Sequence, residues 1–169
     1  MPVIPESERV TTLREWGLSE PLIRLARGED VHPQFRFGFQ GPPRYIYHCS
    51  DRSVRPPRGP RFAPLWEFSE RVTGVWRRGI SLEFLRFSFG DPQEYEVLAR
   101  TEQGFWAVVF DFLFEDEGLT EELREAAVAV GFLFLDRLVT AREEAELGTF
   151  ELHRKYLRGL VAGIDCEDQ

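Results

Sequence analysis

Ile80-Ser81-Leu82-Glu83-Phe84-Leu85-Arg86-Phe87-Ser88-Phe89 is the stretch that decides the fold class. Its apolar residues recur at every second position, the period of a strand and not of a helix. Ile80, Leu82 and Phe84 lie on one phase, and Leu85, Phe87 and Phe89 on the other. The slip at Phe84-Leu85 predicts either a β-bulge or a strand covered on both faces near its middle. Moving toward the N-terminus, Arg77-Arg78-Gly79 is a turn and Val72 to Trp76 a second strand. A third runs through Leu65 to Phe68, with Pro64 marking its start or a sheet edge. Further back, Phe35, Phe37 and Phe39 alternate with Arg36, Gly38 and Gln40 and predict a half-buried strand. After a Gly41-Pro42-Pro43 turn, Tyr45, Tyr47 and Cys49 share one face of a further strand, with Ile46 and His48 on the other. Residues 51–61, with three prolines and four arginines, read as an extended insertion between strands.

On either side of this region the period returns to that of a helix. Val10, Leu13 and Trp16, then Leu22, Ile23, Leu25 and Ala26, predict two short helices separated at Gly17, the second capped by Ser19 with Pro21 in its first turn. Asp91-Pro92-Gln93-Glu94 reads as a helix start, in competition with a short strand through Tyr95, Val97 and Ala99. Thr101 caps a helix over Glu102 to Asp116 that ends at Gly118. Thr120 caps another, whose stripe is Leu123, Ala127, Val130, Phe134, Leu135 and Leu138. A last helix over Thr149 to Leu160 stops at Gly163 and leaves a frayed tail over 163–169. The expected class is therefore α+β in one domain spanning 1–169. A helical part over 1–30 comes first, then a largely antiparallel mixed sheet of about five to six strands over 34–89, then helices over 101–162.

The 169 residues carry 21 basic and 29 acidic side chains, a net charge of −8. The balance is uneven: residues 1–89 hold 14 basic and 10 acidic groups, whereas residues 90–169 hold 7 and 19. A general phosphate-binding surface does not fit this charge, and Arg52, Arg55, Arg58 and Arg61 read as a solubilising loop, so no nucleic-acid partner is expected. No apolar run reaches the roughly 18 residues of a membrane span. Met1-Pro2-Val3-Ile4-Pro5-Glu6 lacks the order of a signal peptide, so a cytoplasmic protein with reduced Cys49 and Cys166 is expected.

Catalytic signatures are sparse. His48 and Cys49 are adjacent on an expected strand, so they point to opposite faces and form no dyad. His32, His48 and His153 have no helical metal spacing, and neither a metal nor a cofactor is expected. No phosphate loop or nucleophile elbow occurs. Glu115, Asp116, Glu117, Glu121, Glu122 and Glu125 surround a helix–turn–helix junction. Three readings stay open for them: a solvated turn, a binding face for a basic partner, and acid–base catalysis by a carboxylate pair. Of Trp16, Trp66, Trp76 and Trp106, each fits a core position, and Trp66 beside Glu67 is the candidate interface anchor.

Pro64-Leu65-Trp66-Glu67, Val72-Thr73-Gly74-Val75-Trp76, Glu83-Phe84-Leu85-Arg86-Phe87-Ser88 and Leu98-Ala99-Arg100-Thr101-Glu102-Gln103-Gly104 together resemble bacterial members of the SUKH superfamily, which includes yeast cell-wall assembly regulators. The likeness covers residues 60–140, and the Asn-Gly-Gly-like turn after the N-terminal helix is missing. The resemblance implies an α+β fold with a mixed sheet, no catalysis, and the role of an immunity protein that binds and neutralises a toxin. A basic toxin domain would suit the acidic C-terminal half. The expected contact residues are Trp66, Glu67, Glu115, Asp116, Glu117, Glu121 and Glu122, on a monomer or weak homodimer. The alternatives are an adaptor for an endogenous protein and a small hydrolase or ligand-binding enzyme; the latter predicts a deep pocket with convergent polar groups and is favoured by His48 or His153 hydrogen-bonded to a carboxylate inside a cleft.

Overall fold

A computed structural model describes residues 3–48 and 59–168, with the backbone alone of Asp116 and Glu117. Cys49 and most of the arginine–proline segment lie outside the described residues. The chain is α+β, as its patterning predicts, and divides into two compact units, Met1–Val97 and Leu98–Gln169.

In the first unit, α1 (Glu6–Glu15) and α2 (Glu20–Ala26) form where the 3.6-residue period places them. The Ser19 hydroxyl accepts from the Leu22 N–H at 3.4 Å, and Pro21 occupies the first turn, where its missing N–H costs nothing. Strands β1 (Phe62–Phe68), β2 (Arg71–Arg78), β3 (Ser81–Ser88) and β4 (Tyr95–Ala99) form an antiparallel sheet in the order β1-β2-β3-β4. The strand reading of Tyr95 to Ala99 therefore prevails over the helix start at Asp91. β2 and β3 pair without interruption from Arg71↔Ser88 to Arg78↔Ser81, so β3 has no bulge against β2. Phe84 and Leu85 are both fully buried, because the strand is covered on both faces at its middle. The irregularity falls instead in β1, between Pro64 and Trp66, where proline cannot donate to the ladder.

The expected five to six strands reduce to four among the described residues, because residues 34–48 are not strands. Pro33–Phe35 forms a single 3₁₀ turn, and Tyr45–His48 a single helical turn, α3. The alternating phenylalanines do not share a face: Phe35 is fully buried while Phe37 is 71% exposed. The α3 turn is induced from outside its own sequence. The Glu67 carboxylate on β1 accepts from the backbone N–H groups of Arg44, Tyr45 and Ile46 at 3.0, 2.9 and 2.8 Å. Three converging N–H groups define a helix start, and a carboxylate there overrides a strand period.

Both β-hairpins are tight. Gly79 adopts φ +62° at the first position of the β2–β3 turn, a conformation glycine takes without strain. The β1–β2 turn uses Ser69 and Glu70 at φ +46° and +61°, where side chains are penalised. Arg9, buried on α1, donates to the carbonyls of Ala26, Pro64 and Leu65 at 2.9, 3.2 and 3.4 Å and so serves the carbonyls exposed by the irregular part of β1.

The second unit consists of α4 (Glu102–Glu117), α5 (Glu121–Val130), α6 (Leu135–Glu144) and α7 (Phe150–Glu167). Thr101, Thr120 and Thr149 each cap the helix that follows, accepting from the Gly104, Leu123 and Leu152 N–H groups at 3.0, 3.1 and 3.2 Å. The stripe from Leu123 to Leu138 belongs to two helices, because Gly131 closes α5 in the left-handed region. The tail expected to fray from 163 onward is helical through Glu167. Asp165 is 7% exposed and accepts from the N–H groups of Arg100 and Thr101, both at 2.9 Å, and from the Thr101 hydroxyl at 2.8 Å. It thereby holds the end of α7 against the start of α4. Gly104 permits this approach, since a Cβ there would collide with the Asp165 carboxylate.

Asp165→Ala is expected to destabilise the protein by about 3 kcal/mol in urea denaturation, since it leaves buried N–H donors unpaired; an unchanged midpoint contradicts the role given to this carboxylate. Ser69→Asn combined with Glu70→Gly is expected to stabilise by about 1 kcal/mol by relieving the left-handed turn, and a lowered melting temperature would count against that reading.

Candidate functional site

The expected contact residues divide between the two units. Trp66 is 2% exposed and packs its ring edge-on to Phe39 at 6.0 Å. It is a core residue and offers no surface. Glu67 is half-buried and occupied by the three N–H groups of α3. Its position explains the local fold and leaves little of the carboxylate for a partner.

In the second unit, Asp116 and Glu117 form the last turn of α4, which Gly118 ends by donating to the Phe114 carbonyl at 2.9 Å. Glu121 and Glu122 are exposed in the first turn of α5, where carboxylates are favoured by the helix dipole. Among the described residues, neither makes an ion pair. Glu115 is different: it lies 3.5 Å from Arg142 and 3.8 Å from His153, with 47% of its side chain exposed.

Glu115 forms the outer edge of a cluster centred on Asp111. Asp111 is 1% exposed. Its carboxylate pairs with the Arg142 guanidinium of α6, which also donates to the Asp111 carbonyl at 3.2 Å. Its other oxygen lies 2.7 Å from Nε2 of His153 on α7. The His153 ring stacks on Tyr156 at 5.9 Å between centroids, and Arg142 lies over the Phe114 ring at 5.2 Å. Burial, then the negative charge of Asp111, pushes the Tyr156 hydroxyl well above the ordinary tyrosine value. The cluster thus ties α4, α6 and α7 at one point.

The sequence places Asp111 inside Val108-Val109-Phe110-Asp111-Phe112-Leu113, with its partners 31 and 42 residues away. The available signal was a single carboxylate in an apolar run of a helix, which requires a partner if it is buried. His153 was visible only as one of three scattered histidines. The other two serve elsewhere: His32 caps the 3₁₀ turn through Nδ1 at 3.4 Å from the Gln34 N–H, and His48 is exposed at the end of α3.

A histidine oriented by a carboxylate is one component of acid–base catalysis. Here the carboxylate is shared with a guanidinium. No group of three or more His, Cys, Asp or Glu side chains among the described residues is arranged to hold a metal ion. Cys166 is an exposed free thiol on α7. No helix among the described residues is long and apolar enough to cross a membrane.

Comparison of the chain with models of protein families, with curated proteins and with solved structures gives no match.

Tyr156 predicts a pH dependence. Its folded-state value is raised, so above pH 10 the unfolded chain releases this proton while the folded chain retains it. Stability is therefore expected to fall as pH rises above 10, and to fall less steeply in Tyr156→Phe, as measured by denaturant midpoints across alkaline pH. Identical slopes for the two proteins would contradict the buried placement of this hydroxyl.

Proposed function

We propose that the chain is a protein-recognition module without chemistry of its own, which takes a basic protein partner on the acidic surface of its second unit. The observation that carries this reading is the charge of that unit. Residues 98–169 hold sixteen acidic and seven basic side chains, a net of −9. Glu121 and Glu122 stand exposed at its helix junction. An uncompensated acidic surface speeds encounter with a basic partner and disfavours acidic ones. The specific form of the reading is the one implied by the SUKH resemblance: a cytoplasmic immunity protein that sequesters a toxin, with an adaptor role toward an endogenous protein as its variant.

A second reading, a small hydrolase or ligand-binding enzyme, is favoured by one observation, the 2.7 Å contact of His153 with Asp111. Against it stands the occupation of that carboxylate by Arg142. The cluster accounts for itself as an internal strut, as buried ion pairs commonly do.

The test uses the full chain as bait, with Glu121→Lys/Glu122→Lys alongside it. The native chain is expected to retain a basic protein that is released by raised salt, and the double reversal is expected to bind it about tenfold more weakly by calorimetry. Affinity that ignores both salt and charge reversal would remove the acidic surface from the reading. A turnover activity lost in His153→Gln would replace recognition by catalysis. For the toxin form, the product of an adjacent gene is expected to arrest growth unless this chain is co-expressed.

A further inference from the structure

Arg9 on α1 is a buried cation, 3% exposed, whose guanidinium is used along one side alone. Its hydrogen bonds among the described residues all leave from Nη1, to the carbonyls of Ala26, Pro64 and Leu65. Those acceptors are firmly placed. The Gly41 backbone is pressed against two of them, since a Cβ there would collide with the carbonyl oxygens of Ala26 and Leu65, and the Gly41 N–H is bonded to the Leu25 carbonyl at 2.8 Å. One side of the guanidinium is thus locked. On its other side Nε is buried and has no partner among the described residues.

Charge decides what suits this donor. Neutral carbonyls, or a water molecule, satisfy an N–H and leave the cation itself uncompensated. Burial lowers the proton affinity of Arg9, while Glu6 and Tyr47 act on it through their fields and not through a bond. A group that accepts and neutralises together suits it best, and charge-assisted bonds of this kind are the strong ones. Nε and Nη2 carry parallel N–H groups whose spacing matches two oxygens of a carboxylate or phosphate. Glu6 is exposed and Tyr47 half-buried, so solvent lies close to the guanidinium.

We infer that the Nε–Nη2 side of Arg9 is a binding site for a small oxyanion, a carboxylate or a phosphate, taken side-on beside α1 and β1. The bonds from Nη1 orient the fork in advance, which lowers the ordering cost of binding. Glu6 opposes the ligand by its like charge. The site belongs to the first unit and uses none of the acidic surface of the second, so either reading can fail without the other.

The probes are inorganic phosphate and acetate, added to the isotope-labelled full chain at an ionic strength held constant with chloride. The Nε–H resonance of Arg9, assigned through bonds from its own backbone, is expected to shift and saturate with added oxyanion and to stay in place in chloride. Arg9→Lys is expected to weaken binding about tenfold by calorimetry, because an ammonium presents no fork. Glu6→Gln, at an exposed position that keeps the fold, is expected to bind about threefold more tightly as the like charge is removed, and it carries the test alone if Arg9→Lys does not fold. Saturation by phosphate and not acetate supports the site and assigns it to phosphate; the reverse assigns it to carboxylates. A resonance that ignores both anions overturns the site and leaves Nε to water. Affinity that is unchanged in Glu6→Gln, or in a folded Arg9→Lys, places the anion elsewhere and overturns it equally.

Discussion

A charged side chain taken out of water must find its whole set of partners, and this constraint organises both units of the chain. Arg9, Asp111 and Asp165 are each less than a tenth exposed. Desolvating such a group costs several kcal/mol, which only well-placed hydrogen bonds and counter-charges offset. Each therefore fixes the mutual position of segments that the hydrophobic effect alone leaves free to slide. Arg9 lowers its cost with three carbonyls, from the end of α2 and from the irregular part of β1. Among the described residues its Nε has no partner, and burial lowers its proton affinity, so the match is incomplete. Asp165 is better served, by two N–H groups and a hydroxyl at the start of α4.

The same constraint explains which parts of the fold are legible in the sequence. Elements set by their own residues read correctly. β2 and β3 carry their period within eight residues each, and the caps at Ser19, Thr101 and Thr120 bond to N–H groups three residues on. Elements set by distant residues do not. The Phe35-Phe37-Phe39 alternation obeys the strand rule, yet the neighbouring turn at Tyr45 is helical because Glu67, more than twenty residues later, supplies its N-terminal acceptor. The end of α7 looks like a polar tail, yet Asp165 is bound 64 and 65 residues back. Trp66 and Glu67 were the conspicuous pair near a proline, and both are consumed by local structure. Of the candidate contact residues, the exposed carboxylates of α5 were identifiable because charge in the first turn of a helix is a local property. The Asp111 cluster was not, because its members meet only in the folded helical unit.

The distribution of chemistry-bearing groups bears on function in the same terms. Catalysis needs a polar group that is positioned and still available, with capacity left for a reacting atom. The Asp111 oxygens are divided between Arg142 and His153, and His153 lies face to face with Tyr156. Exposed carboxylates lie elsewhere in the second unit, at Glu121 and Glu122 in the first turn of α5. It is on these exposed carboxylates that the proposed recognition reading rests.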